Sequence, residues 1–142
     1  MREVLICFLL IFLFSCNHIE TGDSLGKSEK EYILRLKLLD ENEKIYKFYS
    51  EYKVKVAGNF FTDKRIAKYW IDERNKENDH IVFAFYKDIK LIDTVYNAGA
   101  TYTPYMLITK TDGTTFKVSV NGKKAEVKSF FEDALNMWRQ YR

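Results

Sequence analysis

Between positions 44 and 120 apolar and aromatic residues come in short runs separated by turn signals, and beyond 125 they fall at helical spacing. The stretch NFFTDKRIAKYWID at 59–72 sets the pattern. It reads as a strand, a tight turn at Asp63-Lys64 and a second strand. Before it, KIYKFYS at 44–50 is rich in β-branched and aromatic residues and predicts a first strand, with 51–58 as a connection ending at Gly58. After it, ERNKENDH at 73–80 is a charged loop, 81–86 a fourth strand, 87–90 a short turn and 91–96 a fifth strand. A sixth strand spans 102–109, where Pro104, which has no N–H, belongs near the strand's start or on an edge. Asp112-Gly113 is a hairpin signal. The seventh strand, 114–120, places Phe116, Val118 and Val120 on one face and Thr115, Lys117 and Ser119 on the other, as in a sheet with one wet face.

Two segments carry the helical period. Val127, Phe130, Phe131, Ala134, Leu135 and Trp138 form one continuous stripe on a helix over 125–141, which must be buried against the sheet. Tyr32, Ile33, Leu36 and Leu39 fit a shorter helix over 28–39, opened by a Ser28/Glu31 capping box. Its apolar face reads as core packing rather than as a partner-binding surface. The expected class is therefore mainly β with a C-terminal helix and a short helix before the first strand.

The N-terminal residues read differently. Arg2, an eleven-residue apolar run at 4–14, then Ser15 and Cys16 have the layout of a secretory signal over 1–15. Such a run rises about 16 Å as a helix, roughly half a bilayer core, too short to span. Leu13-Phe14-Ser15-Cys16 resembles the lipobox of bacterial lipoproteins. That resemblance implies acylation of Cys16 (palmitate among the chains), removal of the peptide before it, and residence in the bacterial envelope. Asn17 and His18 are not an acidic retention signal, which favours the outer membrane. The polar, glycine-containing segment 16–27 reads as a flexible tether, leaving 28–142 as one folded domain.

Composition supports a single globular domain: 142 residues, 46 % hydrophobic and 16 % aromatic. The net charge of +3 comes from 23 basic and 20 acidic side chains, interspersed, which does not suit nucleic acid. Both cysteines, Cys7 and Cys16, precede the domain, so it has no thiol chemistry.

Seven short antiparallel strands followed by one amphipathic helix is the order of a pleckstrin-homology-like barrel. Asn59-Phe60-Phe61-Thr62-Asp63-Lys64-Arg65-Ile66 resembles the F-T-[ND]-K-R-I hairpin of bacterial members. Ala84-Phe85-Tyr86-Lys87-Asp88-Ile89 resembles the segment leading into their fifth strand, and Asp112-Gly113-Thr114-Thr115-Phe116 their penultimate hairpin. The likeness covers 38–142. It implies a seven-stranded antiparallel barrel capped by the C-terminal helix, and a binding or scaffold role. Phosphoinositide-binding relatives use several lysines and arginines near the first hairpin. Only Lys53 and Lys55 lie on that connection here, with no arginine beside them, so a protein ligand is expected rather than an inositol phosphate.

No pattern for catalysis emerges. His18 and His80 are the only histidines and no cysteine joins them, so neither a metal site nor any cofactor is expected. No serine lies in a nucleophile elbow, and no glycine-rich phosphate loop is present. Asp88 and Asp93 read as a turn cap and an exposed strand residue rather than an acid/base pair. Tyr96, Tyr102 and Tyr105 gather near one hairpin, either as a recognition patch or as ordinary strand packing. With Lys53 and Lys55 they are the candidate binding residues; Cys16 is the lipid attachment site. Two other readings stay open: a cystatin-like pocket protein or enzyme, in which the long helix would come first rather than last, and an immunity or inhibitor lipoprotein.

Overall fold

The computed structural model describes residues 19–100 and 102–142. The leader, Cys16 and His18 lie outside the described residues. Eight strands and two helices follow in order: β1 (Ile19–Thr21), α1 (Lys27–Arg35), β2 (Ile45–Tyr49), β3 (Ala57–Thr62), β4 (Arg65–Trp70), β5 (His80–Phe85), β6 (Ile89–Val95), β7 (Tyr105–Lys110), β8 (Thr115–Ser119) and α2 (Lys124–Tyr141). Short 3-10 turns at Lys76–Asn78 and Tyr86–Asp88 flank β5. Among the described residues no helix is long and apolar enough to cross a membrane.

The strands form two antiparallel sheets, β1-β2-β3-β4-β5 and β6-β7-β8. The expected seven-stranded barrel is thus corrected to five plus three strands, without closure. The reason lies at the turn Tyr86–Asp88. Tyr86 is tied to the first sheet, its N–H donating to Lys64 O (3.2 Å) and its hydroxyl to Thr62 O (2.6 Å). Asp88 is tied to the second, its carbonyl accepting from Thr111 N–H (2.9 Å). The corner is pinned to both sheets, and β5 and β6 leave it as unpaired edges.

Helix α2 packs between the sheets and buries the expected stripe. Val127, Phe130, Phe131, Ala134 and Trp138 are buried, Leu135 is partly so, and Met137 joins them. Phe130 meets Phe61 of β3 edge-on with centroids 5.1 Å apart. Trp138 Nε1 donates to Ile89 O of β6 at 3.3 Å, and Lys47 of β2 pairs with Asp133 at 2.6 Å.

A second core covers the other face of the first sheet. Leu25, Ile33, Leu38 and Leu39 pack there on Phe48, Phe60, Ala67 and Tyr69. The first sheet is therefore buried on both sides, unlike β8, whose outward residues stay wet. Close packing also explains Gly58, where an added Cβ would lie 2.5 Å from Tyr69 Cε1 and 2.7 Å from Phe48 Cε2.

This second core revises the N-terminal reading. Residues 19–27, expected as tether, are folded: Ile19, Glu20 and Thr21 pair with Tyr49, Phe48 and Lys47, and Leu25 is 4 % exposed. Helix α1 starts one residue before Ser28, with Gly26 N–H donating to Glu29 Oε2 at 2.8 Å, so Glu29 caps the start and no Ser28/Glu31 box forms. It ends at Arg35 rather than at 39 because Lys37 turns left-handed (φ 60°), which brings Leu38 and Leu39 down onto the sheet.

Candidate functional site

Two regions of the surface gather exposed side chains. The first is the seam between β5 and β6. Each is the last strand of its sheet and each leaves one row of backbone groups unpaired. An open recess beside β5 is lined by Ile81, Val82, Phe83, Phe85, Asp88 and Lys110. On β6, Leu91 is 46 % exposed, and α2 runs alongside through the Trp138–Ile89 contact.

The second region is the end of the first sheet where β2, β4 and β5 meet their loops. Register sets Ile19 beside Tyr49, Tyr49 beside Asn59, Asn59 beside Lys68, and Lys68 beside Val82. Two residues further along, Ala57, Trp70 and His80 form the last row. Trp70 is 43 % exposed and Tyr52 61 %; their rings meet edge-on at 5.3 Å. Lys53 and Lys55 project from the adjoining connection, both exposed. Its backbone is held: Lys53 O accepts from Val56 N–H (2.8 Å) and Ala57 N–H (3.1 Å), and Lys55 O from the Tyr32 hydroxyl (2.8 Å).

Lysines also converge here in a way the sequence did not reveal. Lys68 lies on the same face of β4 as Trp70, and burial, then the charge of Lys117, lowers its ammonium below the usual lysine range. Among the described residues no salt bridge joins either lysine to a carboxylate. Lys117 Nζ sits 4.3 Å from the Tyr105 ring centroid. Asn59 and Ser119, bonded at 3.2 Å from Ser119 N–H to Asn59 Oδ1, join the two sheets beside them.

The three candidate tyrosines separate. Tyr96 packs inward against Phe131 of α2 at 5.4 Å. Tyr105 stands under Lys117, and Tyr102 is 74 % exposed on the β6–β7 connection. Asp88 occupies the pinned 3-10 turn, and Asp93 is an exposed β6 residue opposite Leu107. They sit in the places expected of a turn residue and a strand residue.

A buried ion pair was also hidden in the sequence. Arg65, 2 % exposed, forks onto Glu43 through Nε (2.9 Å) and a terminal nitrogen (2.6 Å), and that nitrogen reaches Asp40 at 3.0 Å. Its guanidinium lies 4.9 Å and 4.6 Å from the ring centroids of Phe83 and Phe85. Thr62 donates to the same Glu43 carboxylate. The Glu43 carboxylate is thus bonded at both oxygens, by Arg65 and by Thr62. Partial burial raises the Asp40 carboxyl, but Arg65 and Lys64 more than offset this and hold it below the usual carboxylate range.

No family model and no curated protein sequence matches the chain. Among solved structures, it is similar to the 2.00 Å crystal structure of a DUF1696 family protein with a pleckstrin-homology domain from Shewanella loihica PV-4. The TM-score is 0.55 at 14 % sequence identity, covering 77 % of this chain and 92 % of that one. Two antiparallel sheets followed by a C-terminal helix are thus a pleckstrin-homology-like fold.

Proposed function

We propose that this chain is a non-enzymatic, lipid-anchored protein of the bacterial envelope. In this reading residues 1–15 direct export, Cys16 carries the acyl chains that hold the protein on the outer membrane, and the folded domain binds a protein. The binding surface is the free edge of β6 beside α2. The carrying observation is that, among the described residues, β6 ends its sheet with no strand on its outer side, while Leu91 and the helix offer side-chain contacts next to it. An extended segment of a partner can add there as a further strand, gaining affinity from main-chain hydrogen bonds and specificity from alternate side chains.

A phosphorylated headgroup fits less well. Recognition of phosphate favours convergent donors, above all arginine forks. Arg65, the one deeply buried arginine among the described residues, is committed to Glu43 and Asp40. Lys53 and Lys55 stand exposed on a connection that also carries Glu51.

The test is a titration of the full chain carrying Cys16→Ser against vesicles of anionic phospholipid and of phosphoinositide, at low and physiological salt. The expected result is no saturable, headgroup-selective binding at physiological salt. Selective binding that survives such salt and disappears on replacing Lys53 and Lys55 would replace the protein-partner reading by a lipid sensor.

A further inference from the structure

The two sheets end in four strands, β1, β5, β6 and β8. Folded proteins normally blunt such edges with charge, proline, bulges or shortness. Strand β1 has three residues, Glu20 among them. Strand β6 carries Lys90, Asp93 and a register shift between Ile89 and Leu91, and β8 carries Lys117. Strand β5, HIVFAF, has none of these devices. Its six residues pair with β4 in unbroken register, and His80 is its only ionisable side chain.

The register also shows which backbone groups of β5 are free. Arg65 stands opposite Phe85, and the hydrogen bond beside them runs from Tyr86 N–H to Lys64 O. The 65/85 pair is therefore a wide one, whose own N–H and C=O groups point away from each other. Alternation makes Tyr69/Ile81 and Ala67/Phe83 wide as well. Ile81, Phe83 and Phe85 thus aim their backbone at the open side of β5. Among the described residues, their N–H groups and the carbonyls of Ile81 and Phe83 make no hydrogen bond to another element. The side chains of these three residues share one face of the sheet. Ile81 is 42 % exposed, and Phe83 and Phe85 are half-buried.

Three outward residues in a row are self-complementary. A two-fold axis through Phe83 pairs Phe83 with its copy, and Ile81 of each chain with Phe85 of the other, in an antiparallel ladder. The pairs are aromatic–aromatic and aromatic–β-branched, both favourable across strands. The ends agree in charge. Two residues outside the Ile81/Phe85 pair, the same register sets Asp79 of each chain beside Lys87 of the other. Among the described residues neither joins a salt bridge within its own chain. The loop before β5 is net acidic, with Asp72, Glu73, Glu77 and Asp79 against Arg74 and Lys76. It would face the end of the recess that Lys110 lines.

We propose that β5 is a self-association edge: two copies of this chain pair β5 to β5 about Phe83, joining their five-stranded sheets into one. The contact is isologous and closes at two copies. It uses a different edge from the β6 surface assigned above and does not depend on Cys16.

The test mixes isotopically light and heavy full chains purified in detergent, couples carboxylates to amines with a zero-length carbodiimide, and identifies the products by mass spectrometry. The expected product is an Asp79–Lys87 cross-link joining a light chain to a heavy one. Association through the apolar N-terminal run does not place these residues together, so it cannot imitate this result. Ile81→Lys, which sets a charge on the exposed edge, should abolish the cross-link with the unfolding midpoint unchanged. Thr115→Lys, the same charge on the β8 edge, should leave it intact. Absence of an Asp79–Lys87 product between chains overturns the pairing and leaves the edge to a strand of another protein. A product that survives Ile81→Lys overturns it too.

Discussion

Arg65 shows how far a residue's role departs from its neighbourhood in sequence. In the chain it follows Lys64 at a hairpin turn, inside the segment that resembles the F-T-[ND]-K-R-I hairpin. In the fold its guanidinium is out of water, forked on Glu43 and flanked by Phe83 and Phe85. Nothing local to 63–66 announces this, because both the acid and the rings come from distant segments. Removing one partner of such a pair leaves a buried charge without compensation. Arg65→Ala is expected to cost about 3–5 kcal/mol in denaturant unfolding. A loss no larger than that of a surface substitution would mean that water already reaches the pair.

Buried tyrosines give a second residue-scale expectation. Burial, with Glu51 nearby, pushes the Tyr49 hydroxyl from 10.0 up to about 12. Burial raises Tyr69 and Tyr86 as well, with smaller contributions led by Tyr32 and by Asp63 respectively. The folded chain holds these protons more tightly than the unfolded one. Their contribution to stability is therefore complete below pH 10 and is lost as pH rises through the folded value, near 12 for Tyr49. Denaturation midpoints should fall across that alkaline window, with a delayed fraction of tyrosinate absorbance. All ten tyrosines ionising together near pH 10 would contradict this.

The elements differ in legibility for a simple physical reason. Helix α2 announces itself because 18 residues repeat one stripe, and burial follows the stripe. Strand β8 does so because its alternation is clean. Strand β1 does not: three residues, two of them Glu20 and Thr21, hold too little pattern to distinguish a strand from a tether. What makes it a strand is the free edge of β2, which is remote in sequence. Helix α1 was visible, but its last turn was not. Leu36, Leu38 and Leu39 continue an apolar run that the backbone breaks at Lys37. Two substitutions separate these elements from alternatives. Trp138→Ala is expected to cost about 3–5 kcal/mol and Leu25→Ala about 2–5 kcal/mol, both by denaturant unfolding. A Leu25 variant as stable as the parent would return 19–27 to the status of a linker.

At the scale of the whole molecule, strand order and the terminal helix were readable, and they lead to the pleckstrin-homology-like fold seen in the Shewanella structure. Closure was not readable. Whether a seventh strand returns to the first depends on how the corner at Tyr86–Asp88 is pinned, through bonds to Lys64, Thr62 and Thr111. The candidate site was legible only in part for the same reason. The edge of β6 was within reach of a fold resemblance. The convergence of Tyr52, Trp70, Lys68 and Lys117 requires strand register and the approach of two sheets.

The proposed function makes Cys16 the attachment that would hold this domain in the envelope. Detergent-phase partitioning of the full chain, expressed in a bacterium that acylates lipoproteins, measures this directly, with Cys16→Ser as the comparison. The full chain should enter the detergent phase and the Cys16→Ser protein should stay in the aqueous phase, folded and equally stable. A Cys16→Ser protein that partitions into detergent as the parent does would contradict the account.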